Sequence, residues 1–311
     1  MSVPAAVPHG RLVIEGEAVR PRRWLEQAIG VALFGCALIS ILTTVGIVLV
    51  LVVEAAQFFR EVSVWEFLTG TKWSPKLGQK FGILPLLCGT LLVTAGAAVI
   101  ALPVGLLSAI YLSEYASRPV REVVKPILEV LAGIPSVVFG YLAIVFVSPM
   151  IRSVFPSAGV FNAASASIVV GFMVLPMVVS LSEDILRSVP RSLREAAYAL
   201  GATKLDVTVK VVVPAAISGI VAAFLLALSR AIGETMAVAL AAGNTPNMTL
   251  NPLESVQTMT AYIVQVSQGD TPAGTLEYRT IFAVGLALFV TTMVLNVLAQ
   301  WFVSRVREKY E

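Results

Sequence analysis

Six apolar stretches, each long enough to cross about 30 Å of hydrocarbon, leave this chain few alternatives to a membrane bundle. They lie near 28–53, 84–112, 123–151, 164–181, 211–242 and 281–303 of the 311 residues. Only 13% of the residues are charged, against roughly 25% in a soluble domain, and the mean hydropathy is +0.87. A water-facing surface is thereby excluded. Inside a bilayer the backbone must satisfy its own hydrogen bonds, so the expected fold is all-α, a polytopic bundle of six transmembrane helices. Pro103, Pro135, Pro176 and Pro214 fall within or at the ends of these spans, breaks that neighbouring helices make tolerable. The first 27 residues are too polar for a signal peptide and the first apolar run is too long for its core. That run reads as a retained membrane helix.

Orientation follows from the lysines and arginines of the connections. With the N-terminus placed in the cytoplasm, fifteen of them fall on the cytoplasmic side, in the N-terminal tail, at 118–125, at 187–210 and after the last span. Six fall outside: Arg60, Lys72, Lys76, Lys80, Arg152 and Arg279. Both termini and the 183–210 connection are therefore expected inside, and the connections at 54–83 and 243–280 outside. The remaining cation, Arg230, lies within a span.

The 188–214 loop carries its own structural signals. Ser192 and Glu195 have the spacing of a capping box, Gly201 suits a left-handed helix stop, and Leu193, Ala196, Ala197 and Leu200 form one apolar stripe. Thr203 and Asp206 repeat the cap pattern and start a second helix toward Pro214. Such a helix either lies on the membrane surface or, because its alanines permit close approach, seats in a partner's groove.

Arg230 and Glu234 are four residues apart, so on one helix they share a face and can pair. Charges at membrane depth cost at least a few kcal/mol each and normally face a bundle interior or an aqueous cavity. Two readings stand. The pair locks helix packing, or the planar, permanently charged guanidinium meets an oxyanion while Glu234 limits its affinity. Gly133 and Pro135 mark either a hinge or a packing kink. Glu183 and Asp184 are expected to face water or a partner. Cys36 and Cys88 read as buried small apolar residues, and the outer stretch 253–266 as a surface helix that touches a delivery protein. His9 is the only histidine, which excludes a histidine metal cluster.

Glu195, Ala196 and Ala197, with Gly201 four residues later and Val213, Pro214 and Ala215 beyond, resemble the EAA loop of ABC importer permeases. The runs RAIGETMA at 230–237, FGILPLLCGT at 81–90 and LAGIPSVVFG at 131–140 are similar to those of phosphate importer permeases of the PstC family, over roughly 65–303. The resemblance implies a type I, MetI-like importer fold, a permease domain of five helices at 84–303 after a first helix and loop at 28–83, and cytoplasmic tails at 1–27 and 304–311. It implies an ATPase-docking role for Glu195, Ala196, Ala197 and Gly201, and a place on the substrate path for Arg230 and Glu234. Implied partners are a PstA-like second permease, two PstB-like ATPase subunits and a PstS-like extracytoplasmic phosphate-binding protein, in a prokaryotic plasma membrane. The chain itself has no Gly-x-x-x-x-Gly-Lys-Ser/Thr run to cradle ATP, so ATP and Mg belong to the separate ATPase and this chain is expected to be no enzyme. The rival readings are a permease for sulfate or molybdate, an ion-coupled secondary transporter, which needs internal repeats and several intramembrane carboxylates, and a membrane scaffold.

Overall fold

A computed structural model describes residues 23–269 and 271–306. His9, the charges before Arg23 and those after Val306 lie outside the described residues. The chain forms two compact units, 1–49 and 50–311. The first contributes most of helix α1 (Arg23–Glu61), apolar all round, with Phe34, Leu38, Ile41 and Leu42 exposed. Cys36 is exposed there as well, contrary to the buried position expected of it, because a helix apolar on every side has no inward face to favour it.

In the second unit, the end of α1 leads into α2 (Val64–Thr69), a two-residue strand β1 (Trp73–Ser74), α3 (Pro75–Gly78) and β2 (Lys80–Phe81), which pairs antiparallel with β1. Aromatic side chains close this end. Phe58 meets the edge of Phe81 at 5.4 Å between ring centres, and Trp73 meets Tyr262 at 4.9 Å. Next come α4 (Leu84–Ile110), a π-turn at Tyr111–Tyr115, and α5 (Arg118–Ala132). The third span is then built from α6 (Ser136–Leu142), a π-turn at Ala143–Val147 and α7 (Ser148–Val154), and α8 (Ala163–Ser188) follows. The loop holds α9 (Arg191–Ala199). The fifth span comprises α10 (Lys204–Val207), a π-turn at Thr208–Val212 and α11 (Val213–Ile232). Short α12 (Met236–Ala241), α13 (Met259–Ser267) and long α14 (Leu276–Val306) complete the order.

Six helical segments among the described residues are long and apolar enough to span a bilayer, the number expected. The third and the fifth depart furthest from the expected bounds. The third begins at Ser136, because 118–132 is a separate amphipathic helix. Arg118, Arg121, Glu122, Lys125 and Glu129 share one face of α5 while Val120, Val123, Ile127 and Val130 are exposed on the other, and none of its residues is buried. The expected start at Val123 falls inside α5, whose apolar face conceals this boundary. The fifth runs from Lys204 to Ile232 and stops at Gly233, well short of 242. Two of the π-turns end just before the dipeptides Ser148-Pro149 and Val213-Pro214. A proline ring clashes with the carbonyl four residues back, and the widened turn makes room for it.

The core is the crossing of α4 with α8. Here small residues bring backbones together, as is common between membrane helices: a Cβ on Gly96 would stand 2.4 Å from the Ser167 hydroxyl, and one on Gly105 would stand 2.6 Å from Val178. The stretch 253–266 is no surface helix. Met259 is fully buried and Tyr262 nearly so, and the Met259 N–H donates to the Thr90 hydroxyl at 3.1 Å. Burial pushes the Tyr262 phenol up to about 12.

Candidate functional site

The loop between the fourth and fifth spans is a short helix pinned on one side and bare on the other. Its start departs from the capping-box expectation. Val189 precedes a proline, which biases it to extended backbone, so α8 ends at Ser188 and α9 begins immediately after Pro190. Ser192 thus falls inside the first turn, and no side chain caps the helix. Its end follows expectation. Gly201 takes φ +80°, and its N–H donates to the Tyr198 carbonyl while that of Ala202 reaches Ala197 at 3.2 Å. These two bonds make a complete Schellman stop. Thr203 then caps α10 by accepting from the Asp206 N–H.

The expected apolar stripe divides. Leu193 and Ala197 turn inward against the core beneath the loop, whereas Ala196 is exposed and Leu200 is 90% exposed. Glu195 is also exposed, with no hydrogen bond or ion pair among the described residues. Arg194 fastens the inner side, donating to Glu114 at 3.0 Å and to the Leu186 carbonyl at 2.8 Å. Lys204 lies 4.7 Å over the Tyr115 ring. These contacts tie the inner side of the loop to α8 and to the π-turn that follows α4.

Beside the loop sits a charge cluster that overturns the expectation for Glu183. This carboxylate is 1% exposed. Lys125 lies 2.7 Å from it, Arg187 3.4 Å and Arg121 3.6 Å. Lys125 also pairs with the exposed Asp184 at 2.7 Å, and hydrogen bonds to Asp184 and then Glu183 hold its ammonium above the ordinary lysine value. Arg121 in turn donates to the Leu112 and Ser113 carbonyls, free acceptors at a helix end. The cluster latches amphipathic α5 to α4 and α8. Gly133 and Pro135 form the joint between α5 and α6, where α5 ends and the next helix starts.

The Arg230–Glu234 pair does not form. Gly233 ends α11, so Glu234 no longer lies one helical turn above Arg230. Its carboxylate accepts from the Ala237 N–H at 3.1 Å, which starts α12, and its carbonyl accepts from the Thr260 hydroxyl at 2.7 Å. Arg230 is exposed and makes no ion pair or hydrogen bond among the described residues. Next to it, Ser229 donates to the Asn296 side chain of α14 at 2.7 Å. Asn296 carried a signal visible in the sequence, since with Gln300 it places two amides in one apolar span.

A bundle of six apolar helices agrees with what the chain resembles. Residues 101–308 match the family described as binding-protein-dependent transport system inner membrane component. The chain belongs to that family. It is a permease subunit of an ABC importer. The protein named "Probable ABC transporter permease protein YqgH" from Bacillus subtilis (strain 168) is 38% identical over 92% of this chain and 94% of that protein. A phosphate transport system permease protein PstC from Mesorhizobium japonicum is 33% identical over 78% of this chain and 79% of its own. Among solved structures, a bacterial alginate ABC transporter in complex with its alginate-bound periplasmic protein includes a chain of the same fold, with TM-score 0.66 at 15% identity over 93% of this chain and all of that one.

Proposed function

We propose that this chain forms half of the translocation pore of an ATP-driven phosphate importer, and that Arg230 is the residue its cargo meets. The observation that carries this reading is the bare guanidinium in the fifth span. A charge at that depth without a counter-ion is costly unless water, an anion or a second chain meets it, and a planar fork of donors suits a tetrahedral oxyanion. Chemistry alone reaches an anion; likeness to the PstC proteins is what favours phosphate over sulfate or molybdate. Glu234 acts on the path indirectly, by fixing the α11–α12 break beside Arg230.

The same reading gives the loop side to the cytoplasm, supported by the excess of lysine and arginine there. The bare face of α9, with Glu195, Ala196 and the Gly201 stop, receives one of two PstB-like ATPase subunits, while Ala197 fixes the helix from within. A PstA-like permease completes the pore and a PstS-like protein delivers phosphate from outside. Closure of the ATPases moves the loop, and the joint at Gly133 and Pro135 lets α5 and α6 reorient. No chemical step occurs in this chain.

The test is uptake of labelled phosphate into proteoliposomes holding the complete complex with ATP inside. Wild type should accumulate phosphate, with sulfate and molybdate as poor competitors, and Arg230→Ala should abolish uptake while all subunits still co-purify. Undiminished flux in that variant would refute the role of the arginine. Preferential uptake of sulfate or molybdate would replace the cargo.

A further inference from the structure

The last span contains a row of polar side chains that the foregoing reading leaves unused. Thr292, Asn296, Gln300 and Ser304 recur every fourth residue of α14, about 6 Å apart along one side of the helix. Asn296, Gln300 and Ser304 line a cavity of about 590 Å³ whose other wall is Ala222, Leu225 and Leu226 of α11. The cavity therefore lies between α14 and α11, the helix that carries Arg230 and its neighbour Ser229.

The hydrogen bonding on this row has a direction. Ser229 donates to Asn296 Oδ1 at 2.7 Å, which leaves the amide nitrogen as the group still in need of a partner. That nitrogen has no acceptor among the described residues, and neither does Gln300. Both residues are exposed on this chain. An amide left unsatisfied in hydrocarbon costs roughly 2–7 kcal/mol, so this face is poorly suited to lipid tails. Water and an oxyanion both satisfy it. Because the donors are uncharged, they hold an anion more weakly than a guanidinium does, as a step leading away from a capture site requires.

We propose that Asn296 and Gln300 form a second, uncharged station for the transported oxyanion, receiving it from Arg230 and passing it along α14 toward the loop side. The proposal rests on the transport reading above and deepens it. The row faces water, Asn296 is the nearer contact and Gln300 the next, and Ser229 positions the first amide.

The experiment uses the complete complex in proteoliposomes, with Cys36 and Cys88 replaced by serine. Asn296→Cys and Gln300→Cys should react with a water-soluble thiol reagent, and inorganic phosphate should slow the reaction. Leu298→Cys, on the opposite face, should not react. Loss of a hydrogen bond to a charged group implies a fall of about tenfold or more in phosphate uptake for Asn296→Leu, with Asn296→Gln retaining much of the rate. Unlabelled cysteines, or labelled ones that phosphate does not protect, would overturn the proposal. So would full uptake in both Asn296→Leu and Gln300→Leu, or loss of the second permease on purification of Asn296→Leu, which would make the row a packing seam. Wild-type complex that accumulates no phosphate defeats the transport reading instead, and protection of Asn296→Cys by sulfate or molybdate would then retain the station for a different oxyanion.

Discussion

Glu183 and Arg230 are both charges carried by long apolar helices, and the fold treats them in opposite ways. Glu183 is buried and has three cations within 4 Å. Arg230 is exposed and has no partner among the described residues. A buried charge that is fully surrounded fixes one arrangement of helices, whereas a charge left open can act on something that arrives from outside. The difference separates a structural role for Glu183 from the pathway role proposed for Arg230, whereas sequence alone placed Glu183 just past the end of its span, facing water or a partner, and only Arg230 within one.

The comparison can be broken most directly by exchanging what each charge loses. Arg230→Ala should remove uptake, an effect of at least about a hundredfold, yet leave the thermal midpoint of the purified complex within about a degree, because nothing in the chain rests on it. A matching drop in stability would mean that Arg230 is structural. Glu183→Ala should do the reverse. Leaving Lys125, Arg121 and Arg187 without their shared carboxylate costs roughly 3–5 kcal/mol, so the variant should express poorly or melt several degrees lower. Any properly assembled fraction should still turn over phosphate.

Two smaller effects sharpen the scaffold side. Replacing Gly201 by alanine forces a Cβ into the left-handed region, at a cost of about 1 kcal/mol, and should weaken coupling, read as the ratio of ATP hydrolysed to phosphate moved. No neighbour crowds that position, so backbone strain is the only cause available. The smallest effect concerns pH. Lys125 is held above its ordinary value of 10.5, so the stability it contributes is fully present below that value and declines only as pH rises through its elevated folded value. Between pH 6 and 9 the α5 latch should not loosen, and protection of α5 amides from hydrogen exchange, corrected for the intrinsic rate, should stay level. Loosening near neutrality would implicate another group.

Much of the bundle was legible because it depends on local properties. Apolar length located the six spans, and the stop at Gly201 and the cap at Thr203 could be read because each involves residues within one turn. The capping box at Ser192 misled because Pro190 starts the helix two residues earlier. The Arg230–Glu234 pair misled because Gly233 breaks the helix that was to align them. The Glu183 cluster was only half visible: its partner Arg187 is four residues away, but Arg121 and Lys125 come from a helix some sixty residues earlier.

What the amino-acid order determined by itself is therefore a six-span importer permease with a capped loop and one arginine within a span, since hydrophobic length, helix stops and short motifs act over a turn or a span. Which charges are neutralised, and which amide stands beside Arg230, was decided only by the tertiary structure. Neutralisation requires oppositely charged groups within about 4 Å, and here the packing of α5 on α8 and of α11 on α14 set those distances.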